Sequence, residues 1–133
     1  IFHLMFKKGF LDAYQLAGQS YLESEHYSLS STYFSKALKM DPHNHDLRFL
    51  LNFSLGMNGY YRNTYAKSMS YFTKLIPLEW NGKLKKEYLR KAEEVCNKIC
   101  LEWKEEQSLK AAKKAGSLAE RIRKCYDDFR RSP

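Results

Sequence analysis

Proline and cysteine are scarce in this 133-residue chain, and long hydrophobic runs are missing. Without an apolar run of about 18 residues, no segment is expected to cross a membrane as a helix. Three cysteines, an odd number in a helical pattern, argue against a disulfide framework and indicate a reducing, intracellular compartment. The apolar start IFHLMFKKGF has no small-residue cleavage site, so it is interpreted as a helix end rather than a signal peptide. The chain begins at Ile1 without Met, which indicates a piece of a longer protein.

Catalytic and metal-binding motifs are missing as well. The sequence has no Gly-rich phosphate loop, no nucleophile elbow and no His-Glu-x-x-His. His43 and His45 stand two apart in a turn after Pro42, without the further ligands that a metal needs. Cys96 and Cys100 would share a helix face, but no nearby His or Cys pair completes a metal site, so buried cysteines are expected. We therefore expect no enzymatic activity, no cofactor and no metal.

Apolar and aromatic residues, by contrast, are frequent and recur at helical spacing. The chain has 10 Tyr and 8 Phe, and its apolar positions repeat by three and four between the prolines. This pattern predicts an all-α fold, with helices over about 10–24, 28–40, 45–58 and 63–76. Ser28 is expected to cap the second helix, and Pro42 and Pro77 to end the second and fourth. From residue 83 the pattern predicts one long helix, or two with a break between 104 and 117.

Positive charge is concentrated in the last third of the chain. The net charge is +8, and residues 83–133 hold 15 Lys and Arg against 9 Asp and Glu. Four pairs in this region have Glu four positions before Lys and are expected to form intrahelical ion pairs: Glu87–Lys91, Glu94–Lys98, Glu106–Lys110 and Glu120–Lys124. Two alternatives stay open for the basic last helix. It could bind nucleic acid such as RNA, or it could form a coiled coil that gives a weak homodimer rather than a monomer.

A spaced set of small and aromatic residues marks one helical hairpin near the start. The set reads Tyr14, Ala17, Gly18, Tyr21, Ser30, Phe34, Ala37 and Pro42. These spacings resemble the tetratricopeptide repeat, a helix–turn–helix unit of about 34 residues. The resemblance implies a domain over 1–103, with one unit over about 11–44, a degenerate second over about 45–79, and a third or capping helix from about 83. A basic helical extension over 104–133 follows. Because Pro77 lies 35 positions after Pro42, the second unit needs a shift or bulge near Gly59.

The resemblance also implies a function, a non-enzymatic scaffold that binds a partner protein. In this family the first helices of successive repeats line a concave groove that holds an extended peptide or a partner helix. The main groove positions carried over to this chain are Gln15, Gln19, Leu22, Asn52, Lys86 and Arg90, with Asp12, Glu23, Leu51 and Met57 beside them. One subclass holds the C-terminal carboxylate of a heat-shock chaperone with a set of Lys, Asn and Arg. Gln15 and Gln19 replace the first Lys and Asn of that set, which favours another peptide.

Overall fold

The computed structural model describes residues 2–76, 83–105 and 109–131. Over these ranges the chain forms six helices and no strand. They are α1 (Phe2–Glu23), α2 (Tyr27–Met40), α3 (His45–Tyr61), α4 (Tyr65–Thr73), α5 (Lys83–Glu105) and α6 (Leu109–Arg131). The predicted all-α fold is confirmed. Among the described helices, none has a stretch long and apolar enough to cross a membrane.

Several helix boundaries differ from those expected from the sequence. Helix α1 begins at Phe2, about two turns earlier than predicted. The region after residue 83 forms two helices, and the boundary between them falls within 104–117, as in the second of the two predicted alternatives. The expected N-cap at Ser28 is wrong, because α2 begins at Tyr27 with His26 as its N-cap. Ser28 instead lies inside the helix, where its carbonyl oxygen accepts hydrogen bonds from side chains one turn later. The predicted stop at Pro77 falls outside the described residues.

The first two hairpins repeat the same backbone path at an interval of 38 positions. Each turn holds one residue in the left-handed region, Glu25 at φ 63° and Asn63 at φ 60°. In each turn the next backbone N–H donates to the carbonyl five positions earlier, at 2.8 Å in the first hairpin and 2.9 Å in the second. Since residues other than glycine are uncommon in the left-handed region, the recurrence of two such residues at one interval marks a structural repeat.

Each of these hairpins closes on a contact between a glycine and a phenylalanine ring. A Cβ atom at Gly18 would lie 2.7 Å from Cε1 of Phe34, and one at Gly56 would lie 2.4 Å from Cε1 of Phe72. Both glycines and both rings are again 38 positions apart. The sequence-based register of 35 positions is therefore wrong, and no bulge near Gly59 is needed because α3 is a continuous α-helix.

Helix α3 begins at His45, in the polar segment after Pro42. Its first turn lies 11 positions before Gly56. The turn is stabilised by Asn44, whose side-chain oxygen accepts from the backbone N–H of Leu47 at 3.0 Å. The polar segment after Pro42 thus caps a helix.

Helices α5 and α6 form a third hairpin, in which the glycine lies on the second helix instead of the first. A Cβ at Gly116 in α6 would lie 3.5 Å from the sulfur of Cys100 in α5. These two residues are 16 positions apart, as are the two glycine–phenylalanine pairs. The hairpins stack in chain order, since α2 packs on α3, α3 packs on α5, and α4 packs on both α5 and α6. The largest fully buried side chains of this core are Phe34, Phe49, Phe53, Phe72, Leu75, Leu89, Ile99 and Ile122.

Ion pairs contribute little to holding the described helices together. Lys85 of α5 pairs with Asp46 of α3, and its ammonium lies 5.9 Å from the centroid of the Phe49 ring. Of the four predicted intrahelical pairs, Glu106–Lys110 involves residues outside the described side chains. The other three have described side chains, and none of them forms an ion pair. The exposed cations of α5 and α6 are therefore not neutralised there in the way the sequence pattern predicted.

Candidate partner-binding surfaces

The main predicted groove residues of α1 lie on one side of the helix and face inward, whereas Asp12 and Glu23 beside them are exposed. Leu22 is 4% exposed and belongs to the core, while Gln15 and Gln19 are half-buried. The side-chain amide of Gln19 donates a hydrogen bond to the hydroxyl of Tyr88 in α5, at 3.1 Å. This contact links the first and third hairpins across the edge of the second.

Tyr88 fills the space between the first helices of the three hairpins. Its ring centroid lies 4.8 Å from that of Phe53 in α3, so one side chain contacts both α1 and α3. Burial raises the pKa of the Tyr88 hydroxyl, and the hydrogen bond from Gln19 lowers it by less. The phenol is therefore neutral at pH 7 and acts as the acceptor. In the sequence, Tyr88 was part of an apolar stripe, and the only signal of another role was its hydroxyl.

Asn52 does not lie beside Gln19 along the predicted groove. It is 8% exposed, and its amide donates to the carbonyl oxygen of Arg48 at 3.0 Å. At the interval of 38 positions, Asn52 corresponds to Tyr14, and the position that corresponds to Gln19 is Met57, which is buried. An amide pair in successive first helices is therefore not formed.

Lys86 and Arg90 lie on a different side of α5 from the one that meets α1. They are four positions apart and share a face, whereas Tyr88 is two positions from each. Two positions correspond to about 200° around a helix. Arg90 is exposed and Lys86 is half-buried, and neither takes part in the hydrogen bond between Gln19 and Tyr88.

One side of α1 lacks the neighbour that covers its equivalent on α3. In α3, Phe53 packs against α5 and Gly56 contacts α4. Helix α3 also packs on α2, and we assign to that contact the remaining side of α3. This side bears Leu47, Leu51, Ser54 and Asn58. The equivalent positions of α1 lie 38 residues earlier in the chain and are Gly9, Ala13, Leu16 and Ser20. We name these four residues the outer stripe. Ser54 is 0% exposed, whereas all four residues of the outer stripe are exposed and its Leu16 is 72% exposed. The outer stripe has three small residues around one large apolar residue, Leu16, and none of the described helices covers it.

Two cavities lie along α4, on the side that faces α5 and α6. The first has a volume of about 670 Å³ and is lined by Asn63, Thr64, Tyr65, Ala66, Lys67, Glu102 and Trp103. The second has a volume of about 400 Å³ and is lined by Met69, Thr73, Lys113, Lys114, Ser117, Leu118 and Arg121. Ala66, Met69 and Thr73 recur by three and four, so both cavities open on one side of α4.

The cysteines are placed as packing residues. Cys96 is buried, and Cys100 and Cys125 are half-buried. Burial raises the pKa of the Cys96 thiol to about 12, which keeps it protonated and unreactive at pH 7. Within the described residues no three His, Cys, Asp or Glu side chains come together as a metal site.

The apolar side of α6 is used inside the chain. Its Ala112, Ala115, Leu118, Ala119 and Ile122 are buried, and α6 packs chiefly against α5. Among its described side chains, α6 therefore keeps no apolar stripe for a coiled coil.

The tetratricopeptide resemblance rests on the spacings in the first hairpin and their recurrence in the second. Comparisons of the chain with protein-family models, curated proteins and solved structures found no match.

Proposed function

We propose that this chain is a non-enzymatic scaffold for a partner protein, and that the partner contributes a helix that packs along the outer stripe of α1. The observation that carries the proposal is the contrast between two equivalent helix sides. On α3, which packs on α2, that side holds the buried Leu47 and Ser54 and the half-buried Leu51 and Asn58, whereas on α1 all four positions are exposed. A partner helix on α1 would repeat the packing that the chain already uses between its own hairpins.

The chemistry of the outer stripe favours a helix as the occupant. Gly9, Ala13 and Ser20 are small, so a second helix can approach the α1 backbone closely, and Leu16 can enter a gap between its side chains. Covering an exposed leucine side chain gains about 1.5–3 kcal/mol. An extended peptide would gain less here, because a convex helix side has no rim of polar groups to pair with a peptide backbone.

The concave groove is a weaker candidate for the partner surface. Tyr88 fills its centre, and Leu22 and Asn52 are buried. The cations Lys86 and Arg90 lie on another side of α5, which removes support for capture of a chaperone C-terminal carboxylate. Gln15 remains at the edge of the groove, half-buried.

The proposal is tested by capture of the partner with matched arginine variants. Leu16→Arg places a charge in the outer stripe, and Leu29→Arg places the same charge at an exposed leucine of α2. We expect Leu16→Arg to weaken capture at least tenfold, and Leu29→Arg to capture like the unmodified chain. Circular dichroism verifies that both variants fold. Equal capture by the two variants would remove the outer stripe from partner binding.

A second measurement separates the outer stripe from the concave groove. A photo-crosslinking residue at Ala13 should link to the captured partner, whereas one at Thr32, exposed on α2, should not. Gln19→Ala and Asn52→Ala should keep capture. If these two variants lose the partner while Leu16→Arg keeps it, the concave groove is the binding surface.

Light scattering of the free chain tests self-association. If the free chain is a dimer and Leu16→Arg makes it a monomer, the partner of the outer stripe is a second copy of the chain.

A further inference from the structure

We propose that the α4 side facing α5 and α6 binds a short segment of single-stranded nucleic acid. The two cavities along this side differ in chemistry, and together they offer cations for phosphates and rings for bases. From Tyr65 to Thr73 they follow eight positions of α4, a length of about 12 Å. This surface, named here the α4 cleft, is distinct from the outer stripe of α1.

The second cavity supplies the phosphate-binding part of the α4 cleft. Among the described residues, its lining has three cations, Lys113, Lys114 and Arg121, and no acidic side chain. All three are exposed, and none forms an ion pair within the described part of the chain. The hydroxyl of Ser117 lies in the same lining, whereas the hydroxyl of Thr73 donates to the carbonyl oxygen of Met69 at 2.8 Å. Lysine, arginine and hydroxyl side chains are the usual donors to phosphate oxygens in nucleic-acid complexes.

The first cavity supplies the base-binding part. Trp103 and Tyr65 both line it and are half-buried, with ring centroids 6.1 Å apart and planes at 75°. Tyr65 is already stacked on Tyr60, at 5.9 Å between centroids, so Trp103 is the ring that we assign to a base. Aromatic rings beside a cationic groove are the common platform for the bases of single strands. Lys67 adds a cation at this end, and the Glu102 carboxylate can accept a hydrogen bond from a base amino group.

The combination favours a single strand over other polyanions. Bases in a duplex are stacked on one another and cannot stack on Trp103. An acidic peptide or an anionic lipid surface would use the three cations but would make no stacking contact with Trp103, and Glu102 would repel carboxylates. The nucleic acid is therefore identified by the neighbouring positions of rings and cations.

Binding is measured by the anisotropy of a fluorescein-labelled 12-nucleotide RNA of mixed sequence at about 50 and 200 mM salt. The test variant is the triple Lys113→Gln, Lys114→Gln, Arg121→Gln. The control is the triple Lys39→Gln, Lys91→Gln, Lys98→Gln, which removes the same charge at exposed positions outside both cavities. We expect the test triple to bind at least tenfold more weakly and the control triple to bind within threefold of the unmodified chain. Three lost phosphate contacts should lower the log–log salt slope by about 2.

Tryptophan fluorescence locates the bound RNA. The chain has two tryptophans, so Trp80→Phe leaves Trp103 as the sole reporter. Stacked bases should quench it in proportion to the bound fraction seen by anisotropy. The proposal is overturned if the RNA does not bind at about 50 mM salt, if both triples lose affinity equally, or if Trp103 is not quenched. It is also overturned if a duplex of the same sequence, polyglutamate or anionic vesicles bind as tightly as the single strand.

Discussion

Replacing Gly56 by alanine is the sharpest perturbation of the hairpin packing. The added Cβ would lie 2.4 Å from Cε1 and 2.6 Å from Cδ1 of Phe72, distances that real Cβ contacts do not reach. Neither partner can move easily, because Gly56 is buried and the Phe72 ring is 0% exposed. The helices α3 and α4 must therefore separate, or the ring must leave its preferred rotamer.

The expected cost follows from two opposing contributions. Alanine is favoured over glycine inside a helix by about 1 kcal/mol. Overpacking a well-filled core costs about 1–3 kcal/mol, and the short distances and full burial point to the upper end. Gly56→Ala should therefore lower the free energy of unfolding by about 1–2 kcal/mol. For a chain of this length that corresponds to a Tm lower by about 4–8 °C.

The same substitution elsewhere in the chain gives the matched control. A Cβ at Gly116 would make an ordinary contact of 3.5 Å with the Cys100 sulfur, so Gly116→Ala should raise stability by up to about 1 kcal/mol. Gly18→Ala, with its closest contact at 2.7 Å, should be destabilising, though less than Gly56→Ala. Urea unfolding followed by circular dichroism measures all three. If Gly56→Ala is as stable as Gly116→Ala, the close approach of the glycine to the ring is not what limits residue size there.

Three further outcomes are expected. The Cys96 thiol, with its pKa raised to about 12 by burial, should react with a thiol reagent at pH 8 only on unfolding, after the other two cysteines; labelling of Cys96 in the native state would contradict this. Burial also raises the pKa of Tyr27 to about 12, so its contribution to stability is complete below pH 10 and is lost as pH rises to 12. Urea titrations at pH 9–11.5 should show this loss of stability. The loss should be smaller in Tyr27→Phe, and it should be unchanged in the control Tyr61→Phe, because Tyr61 is exposed. A double-mutant cycle of Gln19→Ala and Tyr88→Phe should give a coupling of about 0.5–1.5 kcal/mol, and zero coupling would mean that their hydrogen bond contributes nothing.

The fold class could be predicted because its signals are local. Apolar spacing by three and four depends only on the geometry of one helix, and Pro42 prevents a helix from continuing. The start of α2 could not be predicted as easily. Ser28 is a favourable capping residue, yet the turn that places Glu25 in the left-handed region already starts the helix at Tyr27. The path of the chain between two packed helices overrides the preference of one side chain.

The candidate surfaces were predicted less well because they depend on contacts between hairpins. Gln19 was expected in an open groove, and the residue that meets it, Tyr88, is 69 positions away. A family template assigns each position a role without its neighbours, so it cannot indicate that a groove is filled. The outer stripe of α1 was missed for the same reason, since the exposure of Leu16 depends on which of the described helices pack against α1, and none of them covers that side.

The third hairpin explains why the sequence pattern fades while the architecture continues. A template that requires glycine on the first helix and a large ring on the second fits Gly18 and Gly56. It rejects α5 and α6, where the glycine, Gly116, is on the second helix and its partner on the first helix is the smaller Cys100. A Cβ at Gly116 would make only an ordinary contact of 3.5 Å, because a cysteine leaves room that a phenylalanine ring does not. The third hairpin therefore keeps the separation of 16 positions between the two contacting residues without keeping the residue types at them.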